Sequence, residues 1–129
     1  MMMLRTGQKS ILILDDDADI GAIFKLGIQR KFNIEVFTFT DPFLALEDFR
    51  INSDTYGLVI SDLRMPAMNG YEFVQQIKKI RPDMKVLLMS AFGYEYSNPP
   101  NGFLQSDIDG FIEKPVSLYK LNDMILANI

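Results

Sequence analysis

The sequence contains no cysteine and no histidine among its 129 residues. Without cysteine the chain has neither a disulfide framework nor a thiolate metal site. Without histidine it also lacks the commonest metal ligand and the commonest general base. Any metal binding or catalysis by this chain must therefore rely on carboxylates, hydroxyls, lysines or arginines.

Positive charge and long apolar runs are scarce as well. The formal net charge is -4 at pH 7, so the chain lacks the basic excess that attracts nucleic-acid binders to phosphate. No apolar run approaches the roughly 18 residues of a membrane span, and the start MMMLRTGQKS has no apolar core of a secretory signal. We expect no direct binding to nucleic acid, no membrane association and a cytoplasmic location.

The composition that remains is that of a folded domain. Hydrophobic residues make up 48% of the chain and charged residues 23%, as in soluble globular proteins. A chain of this length can bury a substantial core without disulfides or a structural metal. We expect an N-terminal tail over residues 1–9 and one domain over residues 10–129.

Short apolar runs alternate with amphipathic stretches along the chain. The runs are ILIL (11–14), IEVFTF (34–39), YGLVIS (56–61), KVLLMS (85–90) and GFIEK (110–114). Three of them are almost continuously apolar, which is typical of parallel strands covered on both faces. The alternation predicts an α/β fold with a mainly parallel sheet and right-handed crossovers.

The stretches between the runs carry helix signals. An apolar face at helical spacing predicts the first helix; it consists of Ile20, Ile23, Phe24, Gly27 and Ile28. Helix N-caps are predicted at Asp41, at Asn69 or Gly70, and at Ser117. The segment GYEYSNPPNGFLQSD (93–107) contains two consecutive prolines, so we expect a loop there with at most a short helix.

Polar residues collect where the predicted strands end. The strand ends are Asp15-Asp16, Ser61-Asp62, Ser90 and Lys114. In open α/β sheets the functional crevice lies outside the carboxyl ends of the strands, so these side chains are expected at one edge. Any one of the aspartates alone is equally well explained as a helix N-cap. The combination of all of them at ordered strand ends indicates a site.

Three carboxylates around one crevice need a counter-charge. Two like charges about 4 Å apart repel by roughly 4 kcal/mol at an effective dielectric near 20. A Mg²⁺ ion, which prefers carboxylate and carbonyl oxygens, together with Lys114 balances the charges of Asp15, Asp16 and Asp62. The pattern therefore predicts a Mg²⁺ and phosphate site. Asp17 is expected to face solvent and, together with Asp19, to favour the positive N-terminus of the next helix.

Four segments resemble the receiver domain of two-component response regulators: ILILDDD, LVISDLRMPAMNG, VLLMSA and FIEKP. The similarity runs from about Ser10 to the C-terminus. It implies a flavodoxin-like, doubly wound five-stranded parallel sheet in the order 2-1-3-4-5 with flanking helices, the fourth helix being short or irregular. It also implies a receiver domain over residues 10–129 that is a signalling switch, not an enzyme, and assists its own phosphorylation and dephosphorylation.

The resemblance also implies roles for individual residues. Asp62 matches the phosphoacceptor, and Asp15 and Asp16 match the acidic pair that binds Mg²⁺. Arg64 would supply a main-chain carbonyl to the metal. The phosphoryl donor would be the phosphohistidine of a sensor histidine kinase or histidine phosphotransfer protein, and the output partner or domain is not identified by the sequence.

Further positions of the resemblance concern the phosphoryl group and the switch. Ser90 matches the hydroxyl that bonds a phosphoryl oxygen, and Lys114 matches the ammonium that pairs with the phosphate. Phe111 matches the switch aromatic. Phe92 and Arg64 stand where the family tunes access of water to the phosphoryl group. The Lys114-Pro115 peptide bond is expected to be cis, a form open to X-Pro bonds.

Two other interpretations are open from the residues. ILILDDDADI partly resembles the haloacid dehalogenase-type phosphatase signature, with Asp15 as nucleophile and Asp17 as acid/base, but Asp19 stands where threonine or valine belongs. The proline pair at Pro99 and Pro100 leaves open a pseudo-receiver that binds a partner without being phosphorylated.

Overall fold

The computed structural model of the protein describes residues 9–91 and 107–129. Its centre is a parallel sheet with the order β2-β1-β3-β4-β5. The strands are β1 Ser10–Leu14, β2 Val36–Phe39, β3 Tyr56–Asp62, β4 Val86–Ser90 and β5 Gly110–Glu113. The five predicted strands and their order are confirmed.

Helices cover both faces of the sheet. Those in the described residues are α1 Ala18–Phe32, α2 Pro42–Asn52, α3 Gly70–Ile80 and α4 Leu118–Asn128, with a 3₁₀ turn at Ser53–Thr55. None of them is long and apolar enough to cross a membrane. The loop with at most a short helix predicted over residues 93–107 lies outside the described residues apart from Asp107, and so does Phe92.

Two buried clusters, one on each face, explain why the strands are so apolar. Leu12 and Leu14 of β1 pack in the cluster that contains α2 and α3. Ile11 and Ile13 pack in the cluster that contains α1 and α4. Because successive side chains of a strand point to opposite faces, a strand covered on both faces needs apolar residues at every position.

The helices begin where the capping residues were predicted. Asp41 caps α2 by accepting from the Phe43 N–H, with proline at the first helical position. Asn69 caps α3 and forms a reciprocal capping box with Glu72. Ser117 caps α4 by accepting from the Lys120 N–H. Each such cap is worth about 1 kcal/mol of stability.

The apolar face of α1 differs from the prediction at Ile23, which is 54% exposed. The residues of α1 that are buried are Gly21, Phe24 and Ile28. Their spacing of three and four residues defines one face, and Ile23 is rotated from Phe24 by about 100° around the helix axis. Helical spacing alone allowed both residues, and the orientation of the helix on the sheet selected Phe24.

Candidate functional site

The carboxyl ends of the strands bring distant polar residues to one edge of the sheet. Leu14 pairs with Ser61, so the residues that follow them, Asp15 and Asp62, lie on adjacent strand ends. The Lys114 N–H donates to the Ser90 carbonyl at 2.8 Å, which joins the ends of β4 and β5. The four predicted strand ends therefore meet in space as expected.

Three carboxylates form an acidic cluster at this edge. One side-chain oxygen from each of Asp15, Asp16 and Asp62 lies within 4.8 Å of the others. Asp15 and Asp62 are only 1% and 5% exposed, whereas Asp16 is exposed. Burying two like charges this close together is costly without a compensating cation.

Lys114 supplies part of the compensation. Its Nζ lies 3.0 Å from Asp62 Oδ2 and 3.4 Å from Asp15 Oδ2. One positive charge opposite three carboxylates leaves the cluster with a net negative charge. The donor set is made of hard oxygen atoms, and this chemistry fits Mg²⁺.

The pKa values of the pair reflect these surroundings. Burial raises the pKa of the Asp62 carboxyl from 3.8 to about 6; Lys114 opposes the rise, and Asp15 and Asp16 add to it. Burial would lower the pKa of the Lys114 ammonium, but its hydrogen bond to Asp62 and the negative charges of Asp62 and Asp15 outweigh burial and raise that pKa. Asp62 is thus mostly ionised at neutral pH, at a cost in stability.

The turn between β1 and α1 orients Asp15. The Asp17 N–H donates to Asp15 Oδ1 at 2.9 Å. The Asp17 side chain in turn caps α1, accepting from the Asp19 N–H at 3.0 Å and the Ile20 N–H at 3.3 Å. The side chains of Asp17 and Asp19 are both exposed, as was predicted for Asp17. The contact from the Asp17 main chain to Asp15 was not predicted, because it depends on the backbone path of the turn.

Ser90 and Phe111 lie on the neighbouring strands β4 and β5. Ser90 is buried at the end of β4. Phe111 pairs with Leu88 and packs, partly buried, against the cluster that contains α2 and α3. The Lys114-Pro115 peptide bond is cis, as the resemblance implied.

The loop after β3 follows directly on Asp62, the last residue of that strand. Arg64 is exposed, and it lines an open cleft of about 470 Å³ together with Leu63, Met65, Pro66, Asn69 and Tyr71. Ala67 has a positive φ of 72°, a conformation that costs roughly 1–2 kcal/mol for a residue other than glycine. The end of this loop is tied back to β3, because the Gly70 N–H donates to the Leu63 carbonyl at 2.7 Å.

Replacing Gly70 with alanine is expected to lower the free energy of unfolding by about 1–3 kcal/mol. A Cβ at this position would lie 2.7 Å from the Asp62 carbonyl oxygen and 2.8 Å from Leu63 Cα. Both neighbours are main chain, so the end of β3 must shift. Urea unfolding measures the change.

Gly21→Ala is the matched control for Gly70→Ala. A Cβ at Gly21 would lie no closer than 3.6 Å to Thr38, an ordinary contact. Alanine is favoured over glycine inside a helix by about 1 kcal/mol, so Gly21→Ala should be neutral or stabilising. Equal unfolding free energies for the two variants would contradict the close approach of α3 to Asp62.

Comparisons with known proteins agree with this geometry. The family model for the response regulator receiver domain matches residues 11–126. The putative two-component response regulator ARR21 of Arabidopsis thaliana is 30% identical over 122 residues, which cover 92% of this chain and 19% of that protein. The chain spans between 18% and 25% of the length of the first curated relatives it matches.

Solved structures are similar over almost the whole chain. A response regulator receiver domain protein from Clostridium thermocellum superimposes with a TM-score of 0.83 at 27% identity, covering 94% of each chain. The response regulator TrrA of Thermotoga maritima, solved in complex with Mg(2+)-BeF, superimposes with a TM-score of 0.80 at 28% identity. That similarity covers 94% of this chain and 99% of TrrA.

Proposed function

Because the chain belongs to the response regulator receiver domain family, we propose that it is a phosphorylation-dependent switch whose phosphoacceptor is Asp62. The observation that carries the proposal is the position of Asp62 at the end of β3. There its carboxylate lies beside Asp15 and Asp16 and 3.0 Å from the Lys114 ammonium. A nucleophilic carboxylate, a net negative cluster and a fixed cation are the parts that phosphoryl transfer to aspartate requires.

The proposal includes a Mg²⁺ ion held by Asp15, Asp16, Asp62 and the main-chain carbonyl of Arg64. The cluster of hard oxygen donors supports it, and so does the Mg(2+)-BeF complex of the related TrrA. When bound, the ion neutralises the carboxylates and the phosphoryl oxygens.

The chain's own residues then act on the phosphoryl group in defined ways. A carboxylate oxygen of Asp62 attacks the phosphorus of a partner's phosphohistidine; the new P–O bond forms as the P–N bond breaks, and the imidazole leaves. Lys114 pairs with the phosphoryl oxygens, and the Ser90 hydroxyl donates a hydrogen bond to one of them. Since the chain has no histidine, the donor is a sensor histidine kinase or a histidine phosphotransfer protein.

The switch connects the acyl phosphate to the face that signals. Ser90 moves towards the phosphoryl group, and Phe111 on the adjacent strand turns into the space that Ser90 leaves. A local change of charge thus shifts the equilibrium between two packings of the same core. The output is read by a partner or domain that recognises the phosphorylated packing.

The contacts of Asp17 favour this proposal over the phosphatase alternative. That alternative assigns Asp17 as the acid/base, but its carboxylate already accepts hydrogen bonds from the first turn of α1. It also leaves Asp62 without a role, although Asp62 is a buried member of the acidic cluster. The complete cluster likewise favours a phosphorylated receiver over a pseudo-receiver.

Incubation with acetyl phosphate tests the proposal. In Mg²⁺ the native chain should gain one phosphoryl group by intact-mass measurement, and peptide mapping should locate it on Asp62. Removal of Mg²⁺ by EDTA should prevent the gain. An unchanged mass, together with NMR spectra unaffected by Mg²⁺ and beryllofluoride, would contradict the proposal and favour the pseudo-receiver.

A further inference from the structure

Asp17 makes two connected sets of hydrogen bonds at the start of α1. Its side-chain Oδ1 accepts from the Asp19 and Ile20 N–H groups, and its own N–H donates to Asp15 Oδ1. The second oxygen of Asp15, Oδ2, is the one that faces Lys114, at 3.4 Å. One exposed residue therefore connects the first turn of the helix to a carboxylate that is 1% exposed.

We propose that Asp17 is a positioning residue: by capping α1 it holds its own N–H against Asp15 Oδ1, which leaves Asp15 Oδ2 directed at Lys114 and the Mg²⁺ site. This inference rests on the proposed function, because it concerns the affinity of that site for Mg²⁺. It assigns to the third aspartate of the DDD run a role different from that of the first two.

The physical basis is preorganisation of a ligand by its hydrogen-bond partner. A carboxylate whose second oxygen is held loses less freedom when a metal binds, and loss of such partners typically weakens metal affinity by about 10–100-fold. In this chain the partner is a main-chain N–H, which remains when Asp17 is replaced by asparagine or alanine. Loss of the cap makes the position of this N–H less fixed but does not remove the donor. We therefore expect Mg²⁺ affinity to fall by about 3–10-fold.

The charge of Asp17 is separable from its capping. Asparagine caps helices about as well as aspartate but carries no charge. Asp17→Asn therefore keeps the hydrogen-bond chain, whereas Asp17→Ala removes it. Asp19→Asn is the control for loss of one exposed charge in the same turn, because Asp19 contributes its N–H to the cap and its side chain is exposed.

Asp41 offers a matched control for loss of a cap. It caps α2 from the same extended backbone conformation, with its side chain 2.8 Å from the Phe43 N–H. Asp41→Ala should lower the melting temperature about as much as Asp17→Ala, because both variants lose one N-cap. Its Mg²⁺ affinity should stay within about twofold of the native value, since a cap on α2 does not place a metal ligand's hydrogen-bond partner.

The experiment is a titration of five chains with Mg²⁺: the native protein, Asp17→Ala, Asp17→Asn, Asp19→Asn and Asp41→Ala. Binding is monitored by amide-proton NMR well below the melting temperature. Asp17→Ala should bind Mg²⁺ about 3–10-fold more weakly than the native chain, and the other three variants should stay within about twofold. A second readout needs no metal. In the metal-free state the amide proton of residue 17 should keep its hydrogen-bonded chemical shift in Asp17→Asn and lose it in Asp17→Ala.

Two results would overturn the inference while leaving the proposed function intact. One is Mg²⁺ affinity in Asp17→Ala no weaker than in Asp41→Ala. The other is equal weakening in Asp17→Asn and Asp17→Ala, which would mean that charge acts instead of position. Failure of the native chain to bind Mg²⁺ would instead overturn the proposed function, and this inference with it.

Discussion

Replacing Lys114 with methionine is expected to slow the phosphorylation of Asp62 by acetyl phosphate about 10²–10³-fold, the usual cost of removing one donor to transition-state charge. The Lys114 ammonium lies 3.0 Å from Asp62 Oδ2, so it is placed to neutralise oxygens on the incoming phosphoryl group. Methionine keeps the unbranched apolar stem and removes the charge. The rate is followed by intact mass at saturating Mg²⁺.

Two further variants make the Lys114 measurement specific. Lys120→Met removes an exposed lysine from α4 and should leave the rate unchanged. Lys114→Arg keeps the charge with a different donor geometry and should recover part of the rate. If Lys114→Met is folded and its rate lies within about threefold of the native rate, Lys114 does not contact the reacting group.

Replacing Asp62 with asparagine is expected to stabilise the metal-free chain at neutral pH by about 1–3 kcal/mol. The folded state raises the pKa of Asp62 from 3.8 to about 6. This shift means that folding favours the protonated over the ionised carboxyl by about 3 kcal/mol. The folded chain therefore binds this proton more tightly than the unfolded chain. The resulting stabilisation is complete below about pH 3.8 and is lost as the pH rises through about 6.

The test compares the free energies of unfolding of the native chain and Asp62→Asn. Both are measured by urea unfolding in the presence of EDTA from about pH 4 to about pH 7. The native chain should lose stability relative to Asp62→Asn over this range, and the two should converge at the acid end. Asp123→Asn, at an exposed carboxylate on α4, should run parallel to the native chain. A constant difference between Asp62→Asn and the native chain at every pH would contradict the raised pKa.

Mg²⁺ should reverse the loss of stability that the ionised Asp62 carboxylate causes in the native chain. A ligand that binds only the folded state stabilises it by RT ln(1 + [L]/Kd), and the acidic cluster is the site that would bind the ion. Millimolar Mg²⁺ should therefore raise the melting temperature of the native chain more than that of Asp62→Asn. Equal melting temperatures with and without Mg²⁺ would count against the metal site.

Most of the fold was predictable because its signals are local. Continuous apolar runs identified the strands, since buried parallel strands need apolar residues on both faces. Asp41, Asn69 and Ser117 identified helix starts, because capping depends on the two or three residues that follow. The edge of the sheet at which Asp15, Asp62 and Lys114 meet followed from the parallel order of the strands.

The features that escaped prediction depend on how segments pack. Ile23 and Phe24 satisfy the same helical pattern, and only the sheet beneath α1 determines that Phe24 is buried. The approach of Gly70 to the Asp62 main chain depends on the path of the loop between them. The hydrogen bond from the Asp17 N–H to Asp15 likewise depends on the backbone path of a short turn.

The sequence by itself determined which residues end the strands, which ones cap the helices and which family the chain resembles. The tertiary structure alone decided that Lys114 lies between two carboxylates that are 52 and 99 residues away along the chain. It also decided that Asp15 and Asp62 are buried while Asp16 is exposed. Spacing along a chain specifies order, whereas distances and burial arise from packing between segments that are remote in sequence. The raised pKa of Asp62 comes from that packing.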